Sequence, residues 1–339
     1  MTQPTISDVA RAAGVSNATV SRALRGLGKV HPETRDRVFK AAAALDYIAS
    51  PTAAGLASGR TGLVGIITPF IARWFFSAIM SSIEKTLRDH QHHILPIDLE
   101  MSPITRLSLT QGSLFKRVDG LIVINVEMQV AERDLVTRLG LPVVAVGYPF
   151  EDAPRIRIDD FAAVTLAAEH LIDLGHRSIA YLGKARSGAD HKQTPSDRLA
   201  GFRDTLDRHG LSCPDEWVLD SDWSAFDAHG SALRLLSASE HPTAILAASD
   251  EMGLGALAAA RELGLDVPGD LSIIGIDDHE LAAVFGLTTV RQDVAAQGTA
   301  AASAMLAELG LLDESFGGDR IFPVELVSRR STGAPASLG

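Results

Sequence analysis

The 339-residue chain predicts an α/β protein of more than one domain. A small three-helix head should precede a two-lobed body of doubly wound parallel sheets. Three observations lead there. The length exceeds what a single hydrophobic core comfortably organises. Two short helix-like runs meet at Gly14 near the start, in "ISDVARAAGVSNATVSRAL". From Leu63 onward, continuous apolar strands alternate with helix-length segments in two successive series, the pattern of parallel sheets covered on both faces.

In the head, Ser7 is expected to cap a helix starting at Asp8, whose carboxylate favours the positive end of the helix dipole. Val9, Ala10 and Ala13 give that helix an apolar side, and Gly14 suits the left-handed turn that ends it. Val15 pins the turn, and Ser16 caps a second helix with Val20, Ala23 and Leu24 inward. A third helix fits after Pro32, a good first-turn residue, with Val38, Ala41, Ala42 and Leu45 inward. Three short helices with a tight turn between the first two form a helix-turn-helix. Such a unit places its second helix in the major groove of DNA. Arg22 can pair with guanine, Asn17 with adenine, and the Ala18 methyl can pack on thymine. Ser16, Thr19, Ser21 and Thr34 are short hydroxyls suited to phosphates, and Thr5 is placed in the same DNA-facing set.

The body reads as two halves. "LVGIIT" (63–68), "HILPID" (93–98), "GLIVIN" (120–125) and "VVAVGY" (143–148) form one strand series. "SIAYLG" (178–183), "WVLD" (217–220), "AILAAS" (244–249) and "SIIGID" (272–277) form the other. Ligands of such sheets sit outside the strand carboxyl ends.

Charge divides the chain unevenly. The formal net charge is −11. Residues 1–60 hold eight Lys/Arg against four acids, so a basic head sits on an acidic body, and only the head suits a polyanion. No apolar run spans a bilayer and the start lacks a signal-peptide core, so a cytoplasmic protein is expected. Cys213 is the only cysteine, which removes an internal disulfide and a cysteine-built zinc site. "GLGALA" (253–258) fits a dinucleotide pattern, but Asp250, Glu251 and Met252 separate it from its strand. Helix packing explains it better. "GLGK" (26–29) lacks the first glycine and the terminal Ser/Thr of a phosphate loop, and "DHQHHI" (89–94) reads as an exposed turn rather than a metal site. No nucleophile–base pair is evident, so neither an enzyme nor a cofactor is expected.

Ordered stretches along nearly the whole chain, among them "TISDVARAAGVSNATVSRAL", "LDYI", "GRTGLVGII", "HLIDLGHRSIAYLG", "RLAGFRDTL", "LSIIGIDD" and "LVSRRST", resemble the lactose-repressor/galactose-repressor family of bacterial transcription regulators. That resemblance implies residues 1–49 as the DNA-binding domain and 50–60 as a hinge helix. Residues 61–339 then form a periplasmic-binding-protein-like body, with lobe 1 at about 61–160 and 293–323 and lobe 2 at about 161–290 and 324–332. It implies a hinge in which Leu56 enters the minor groove, with Ala53 and Ala54 at the groove surface. It also implies a homodimer on a pseudo-palindromic operator, and the tail "TGAPASLG" has no leucine heptad for a tetramer helix. The expected function is a regulator, most simply a repressor, of carbohydrate catabolic genes, with a small sugar bound between the lobes. A nucleobase effector is the alternative reading, and a transport binding protein a more distant one.

For the effector, the resemblance points to Arg198, Asp277, Ser249, Trp223 and Phe75. Arg198 offers a fork of donors, Asp277 an acceptor for hydroxyls, and the aromatics a stacking face. A surface pair of Arg198 with Asp197 or Asp190, and a capping role for Asp277, stand as the plain alternatives. The chain departs from the family at Arg73 and Trp74, in "TPFIARWFF", and at Gly147, where many relatives place a polar contact.

Overall fold

The computed structural model describes residues 4–24, 30–47, 60–99, 114, 117–183, 193–313 and 316–336. Ala53, Ala54 and Leu56, and the stretch 26–29, lie outside the described residues. The chain divides into two compact units. One comprises Met1–Gly62 with Lys116–Asp119, the other Leu63–Phe115 with Gly120–Gly339.

The first unit holds helices α1 (Ile6–Ala13), α2 (Asn17–Leu24) and α3 (Pro32–Ala44). Helix α1 begins two residues earlier than the sequence suggests. Its N-cap is Thr5, whose backbone N–H and hydroxyl both donate to the Asp8 carboxylate, at 2.9 and 2.7 Å. Ser7 instead accepts from Asn17 Nδ2 at 3.1 Å and ties α2 back to α1. The capping box outcompetes a lone serine because it satisfies two donors reciprocally. Gly14 takes φ 66°, which a side chain would resist, and ends α1. Ser16 caps α2, its hydroxyl accepting from Thr19 N–H at 3.2 Å. Val9, Ala10, Ala13, Val20, Ala23, Val38 and Ala42 close the small core.

The second unit contains two six-stranded sheets. The first has the order β11-β5-β4-β3-β1-β2 and the second β12-β10-β9-β8-β6-β7. Sheet one comprises β1 (Leu63–Thr68), β2 (His93–Asp98), β3 (Gly120–Ile124), β4 (Val143–Val146), β5 (Arg155–Ile158) and β11 (Asp319–Phe322). Sheet two comprises β6 (Ile179–Gly183), β7 (Val218–Asp220), β8 (Ala244–Ala247), β9 (Ser272–Asp277), β10 (Thr288–Gln292) and β12 (Val324–Val327). All pairings are parallel except β10 with β12. The central strands are buried from end to end, as their unbroken apolar sequence requires. Helices α4 (Trp74–Asp89) and α11 (Val294–Glu308) pack together on the first sheet. Helices α6 (Asp160–Asp173), α7 (Gln193–Arg208), α8 (Ala225–Leu236) and α9 (Asp250–Glu262) serve the second. Helix α5 (Val130–Leu139) follows β3, and α10 (Glu280–Phe285) follows β9.

The chain passes from one sheet to the other at Asp159, Asp293 and Pro323, each lying directly between an element of one sheet and an element serving the other. Asp159 and Asp293 also cap the helices they begin, accepting from Ala162 and Ala296 N–H at 3.0 and 2.8 Å.

"GLGALA" lies inside α9, where small residues let α8 approach. A Cβ at Gly255 would sit 2.3 Å from the Ala225 carbonyl oxygen and 3.0 Å from the Ala228 Cβ. Gly255→Ala is therefore expected to lower the unfolding free energy by about 1–3 kcal/mol through overpacking. Urea denaturation followed by circular dichroism checks this, and an unchanged midpoint would show that the two helices part freely.

Candidate functional site

On the helical unit, Ser16, Asn17, Ala18 and Arg22 are exposed on or beside α2, while Thr19, Ser21 and Thr34 are half-buried and Thr5 is exposed at the α1 cap. Two of the polar groups are already oriented. Arg22 Nε donates to the Ala18 carbonyl at 3.2 Å, and Asn17 spends one amide donor on Ser7. Arg22 keeps its two terminal nitrogens as donors, and Asn17 keeps one amide hydrogen to donate and its carbonyl oxygen to accept. Val20 and Ala23 anchor the opposite side of α2 in the core, so the exposed set is fixed by packing rather than by its own contacts.

In the larger unit, a cavity of about 1030 Å³ lies where the carboxyl ends of both sheets face each other. Phe75, Arg198, Trp223, Ser249 and Asp277 all line it. Its walls are built from strand ends: Asn125 follows β3, Gly147 follows β4, Ile158 closes β5, and Asp277 and Gln292 close β9 and β10.

Arg198 is the deepest cation, 4 % exposed on α7. Its Nε donates to Asp160 Oδ1 at 2.8 Å, and a terminal nitrogen donates to the Ala248 carbonyl. Asp190 lies outside the described residues, and the partner is Asp160 rather than Asp197. It is reachable because α6 and α7 pack closely at Gly201, where a Cβ would stand 2.8 Å from the Phe161 carbonyl oxygen. Burial works against the guanidinium charge, but Asp160 and Asp277 outweigh it and hold its pKa above the ordinary value. The Trp223 ring lies 5.7 Å from the guanidinium carbon, within cation–π range.

Asp277 does not cap a helix. It is buried, and Gln292 Nε2 donates to its Oδ1 at 2.6 Å, while Gln297 Nε2 donates to Gln292 Oε1 at 2.9 Å. Burial pushes the Asp277 carboxyl up to about 6, against the pull of Arg198 and Gln292. Its neighbour Asp278 is an ion-pair residue instead, held by Arg291 and Arg329. Ser249 does cap a helix, its hydroxyl accepting from Met252 N–H at 3.4 Å at the start of α9, and its own hydrogen remains free to donate.

Sequence reasoning missed Asn125. Gly147 has φ 76°, and a Cβ there would overlap the Asn125 Oδ1 at 1.7 Å. The carboxamide thus occupies the space that a side chain at 147 would take. Its Oδ1 is buried without a hydrogen-bond partner. Asn125 itself has φ 48°, Trp223 58° and Asp277 125°. Strained backbone collected around one cavity is characteristic of a working site. The signal available in the sequence was an asparagine directly after an apolar strand, paired with a glycine after the next one.

Arg73 and Trp74, the two departures in the first turn, both reach from the β1 side to the second sheet's side. Arg73 donates to the Asp222 carbonyl, approaches its carboxylate at 3.6 Å, and stacks over Phe70 at 4.1 Å. The Trp74 ring lies 4.8 Å from that of His279, tilted by 33°. Phe75 meets Phe76 edge-on at 5.2 Å, and both pack partly into the first sheet's core.

The thiol of Cys213 is pushed up to about 11 by burial, so it is no nucleophile at neutral pH. His93 pairs with Glu84 at 2.8 Å. Among the described residues no cluster of His, Cys, Asp or Glu can hold a metal, and no helix is long and apolar enough to cross a membrane.

A helix-turn-helix unit on one chain with a two-lobed, ligand-sized cleft defines a DNA-binding regulator that responds to a small molecule. Comparison with known proteins specifies it further. Residues 5–50 match the model of bacterial regulatory proteins of the lacI family, and residues 168–332 a periplasmic binding protein-like domain. The chain is 37 % identical over 354 residues to the HTH-type transcriptional regulator MalR of Streptomyces coelicolor, covering 98 % of each protein. It is 32 % identical over 283 residues to catabolite control protein A of Priestia megaterium, covering 83 % of this chain and 84 % of that one. The crystal structure of the lac repressor dimer bound to operator and the anti-inducer ONPF superposes with a TM-score of 0.83 at 29 % identity, covering 98 % of this chain and 100 % of that one. The chain belongs to the lacI family of bacterial regulatory proteins and is a DNA-binding transcription regulator.

Removing Asp160 leaves a buried guanidinium with half its compensation gone. Asp160→Ala is expected to destabilise the body by about 3–5 kcal/mol, the range for breaking a buried pair on one side. Thermal and urea unfolding check this, and Asp160→Ala combined with Arg198→Met should recover much of the loss.

Proposed function

We propose that the protein is a repressor of carbohydrate catabolic genes. It binds a pseudo-palindromic operator as a homodimer and changes its grip when a small sugar occupies the cleft. The observation that carries this is that the buried Arg198 and Asp277 line the same cleft: one donor fork and one acceptor, backed by Trp223, suit vicinal hydroxyls on a ring with an apolar face. In this reading Phe75, Arg198, Trp223, Ser249 and Asp277 contact the effector, and Asn125 Oδ1 accepts from one of its hydroxyls.

The DNA contacts proposed are Arg22, Asn17 and Ala18 to bases, and Thr5, Ser16, Thr19, Ser21 and Thr34 to the backbone. Leu56, flanked by Ala53 and Ala54, acts as the central wedge. The domain limits follow: a head over 1–49, a hinge over 50–60 and the effector body from 61. Exposed apolar side chains on α8 and α10 support the dimer. Phe226 is 89 % exposed, Val284 68 % and Phe285 56 %, and a partner lobe would cover them. One relative is the ribose operon repressor of Haemophilus influenzae, and one similar structure is a transcriptional regulator CelR–cellobiose complex. The reading involves no enzyme chemistry and places the protein with operator DNA in the cytoplasm.

Electrophoretic mobility shifts with operator fragments test the core of it. Arg22→Ala is expected to cost about 1–3 kcal/mol of operator affinity. Arg198→Ala should bind the operator as before yet lose its response to effector. A head that binds every duplex equally would refute the proposal.

The pH dependence follows from Asp277. Its ionised form is the better acceptor for hydroxyls, and its folded pKa, about 6, lies above that of an unfolded carboxyl. Ionisation on raising the pH through 6 therefore costs the fold stability, and hydroxyl donation from a ligand offsets that cost. Effector affinity should fall as pH drops from 7 to 5, and calorimetry on Asp277→Asn should find the step gone.

A further inference from the structure

We infer that the effector is a neutral oligosaccharide of two or more rings, and that its second ring lies along residues 127–133. The inference rests on the carbohydrate reading of the cleft and adds its size, charge and direction.

Size comes first. Small-molecule sites span about 300–1,000 Å³, and this cavity, at about 1030 Å³, stands at the top of that range. At about 30 Å³ per liquid water it encloses roughly thirty waters' worth of space. A single pyranose held at Arg198 and Asp277 would leave most of the lining without contact, forgoing the dispersion attraction that favours a filled site. The aromatic faces are spread over both lobes as well, with Phe70, Phe76 and Tyr148 on one and Trp223 on the other.

Charge comes second. Three arginines of the lining already hold carboxylates: Arg198 holds Asp160, Arg157 holds Asp319 at 2.7 Å, and Arg73 holds Asp222. Glu127, Glu132, Glu251 and Asp277 add negative charge to the walls. A phosphorylated sugar or a nucleotide would meet three inner arginines that are already neutralised, beside carboxylates that repel it, and only Arg133, exposed to solvent at the start of α5, has no carboxylate partner among the described residues.

Direction comes third. The Arg73–Asp222 contact ties the lobes together along one wall. Among the described residues, and apart from Asp222, the exposed lining belongs to one stretch, namely Glu127, Gln129, Val130 and Arg133. A chain that starts at the buried floor therefore leaves past the start of α5.

Calorimetry and thermal shift on the full chain, with a panel of neutral mono-, di- and trisaccharides, hexose phosphates and nucleosides, test this. At least one di- or trisaccharide should bind about tenfold or more tightly than its own constituent monosaccharides. Val130→Trp and, separately, Glu127→Trp should remove that advantage while leaving monosaccharide and operator binding unchanged, operator binding serving as the check on folding. A monosaccharide that binds as tightly as its oligomers would overturn the size inference but keep the sugar reading. A preferred hexose phosphate would overturn the neutral charge. Binding of nucleosides alone, or of nothing in the panel, would sink the carbohydrate reading itself.

Discussion

A guanidinium cannot be buried alone. Taking Arg198 out of water carries a desolvation cost of several kcal/mol, and it stays charged only because Asp160 and Asp277 stand close enough to compensate. Much of the cleft's local geometry follows from that demand. Asp160 must open α6 directly after the crossing at Asp159, so the passage between the sheets is pinned beside the floor. Residue 201 must be small, or α7 would stand too far from α6 for the pair to form. Thr194 completes the arrangement by donating to the other Asp160 oxygen at 3.1 Å. A site assembled this way is preorganised: its donors are aimed before any ligand arrives, because releasing them would expose an unpaired charge.

The second floor residue connects the lobes. Gln297 lies on α11, which packs on the first sheet, and Gln292 closes β10 of the second. Their hydrogen bonds run from Gln297 through Gln292 to Asp277, across the crossing at Asp293, and all three side chains are buried. A half-satisfied buried network is costly, so the three side chains hold one another in fixed orientations across the crossing.

The architecture was readable because it rests on periodicity. Six of the eight strands read in sequence are continuous apolar runs, and the three head helices show their inward faces by spacing. Four further strands carry no such signal. Arg155–Ile158 reads "RIRI" and Asp319–Phe322 reads "DRIF", so arginines mask two short strands, Asp319 of the second holding Arg155 and Arg157 of the first. Thr288–Gln292 and Val324–Val327 look like linkers until the chain returns to the second sheet, where they pair antiparallel. The site was partly legible in the same way. Residues after strand ends could be located, but Asp160 as the Arg198 partner could not, since 38 positions separate them and only the α6–α7 packing joins them. Asn125 was hidden for a related reason: its role depends on the emptiness at Gly147, a property of two strands together.

The first turn shows how a local departure alters a shared architecture. In place of a small polar turn, Arg73 and Trp74 reach over to Asp222 and His279, and the Glu251 carboxylate accepts from the Trp74 backbone N–H. These contacts join elements that serve the two different sheets. An effector shifts a two-state equilibrium only by its unequal affinity for the two states. Here the inequality has to come from groups whose partners change when the lobes rotate. The Arg198–Asp160 pair lies within one lobe and is indifferent to rotation. The amide chain from Gln297 to Asp277 and the Arg73–Asp222 contact span both. A ligand in the cleft changes that balance only by meeting these spanning groups unequally in the two states.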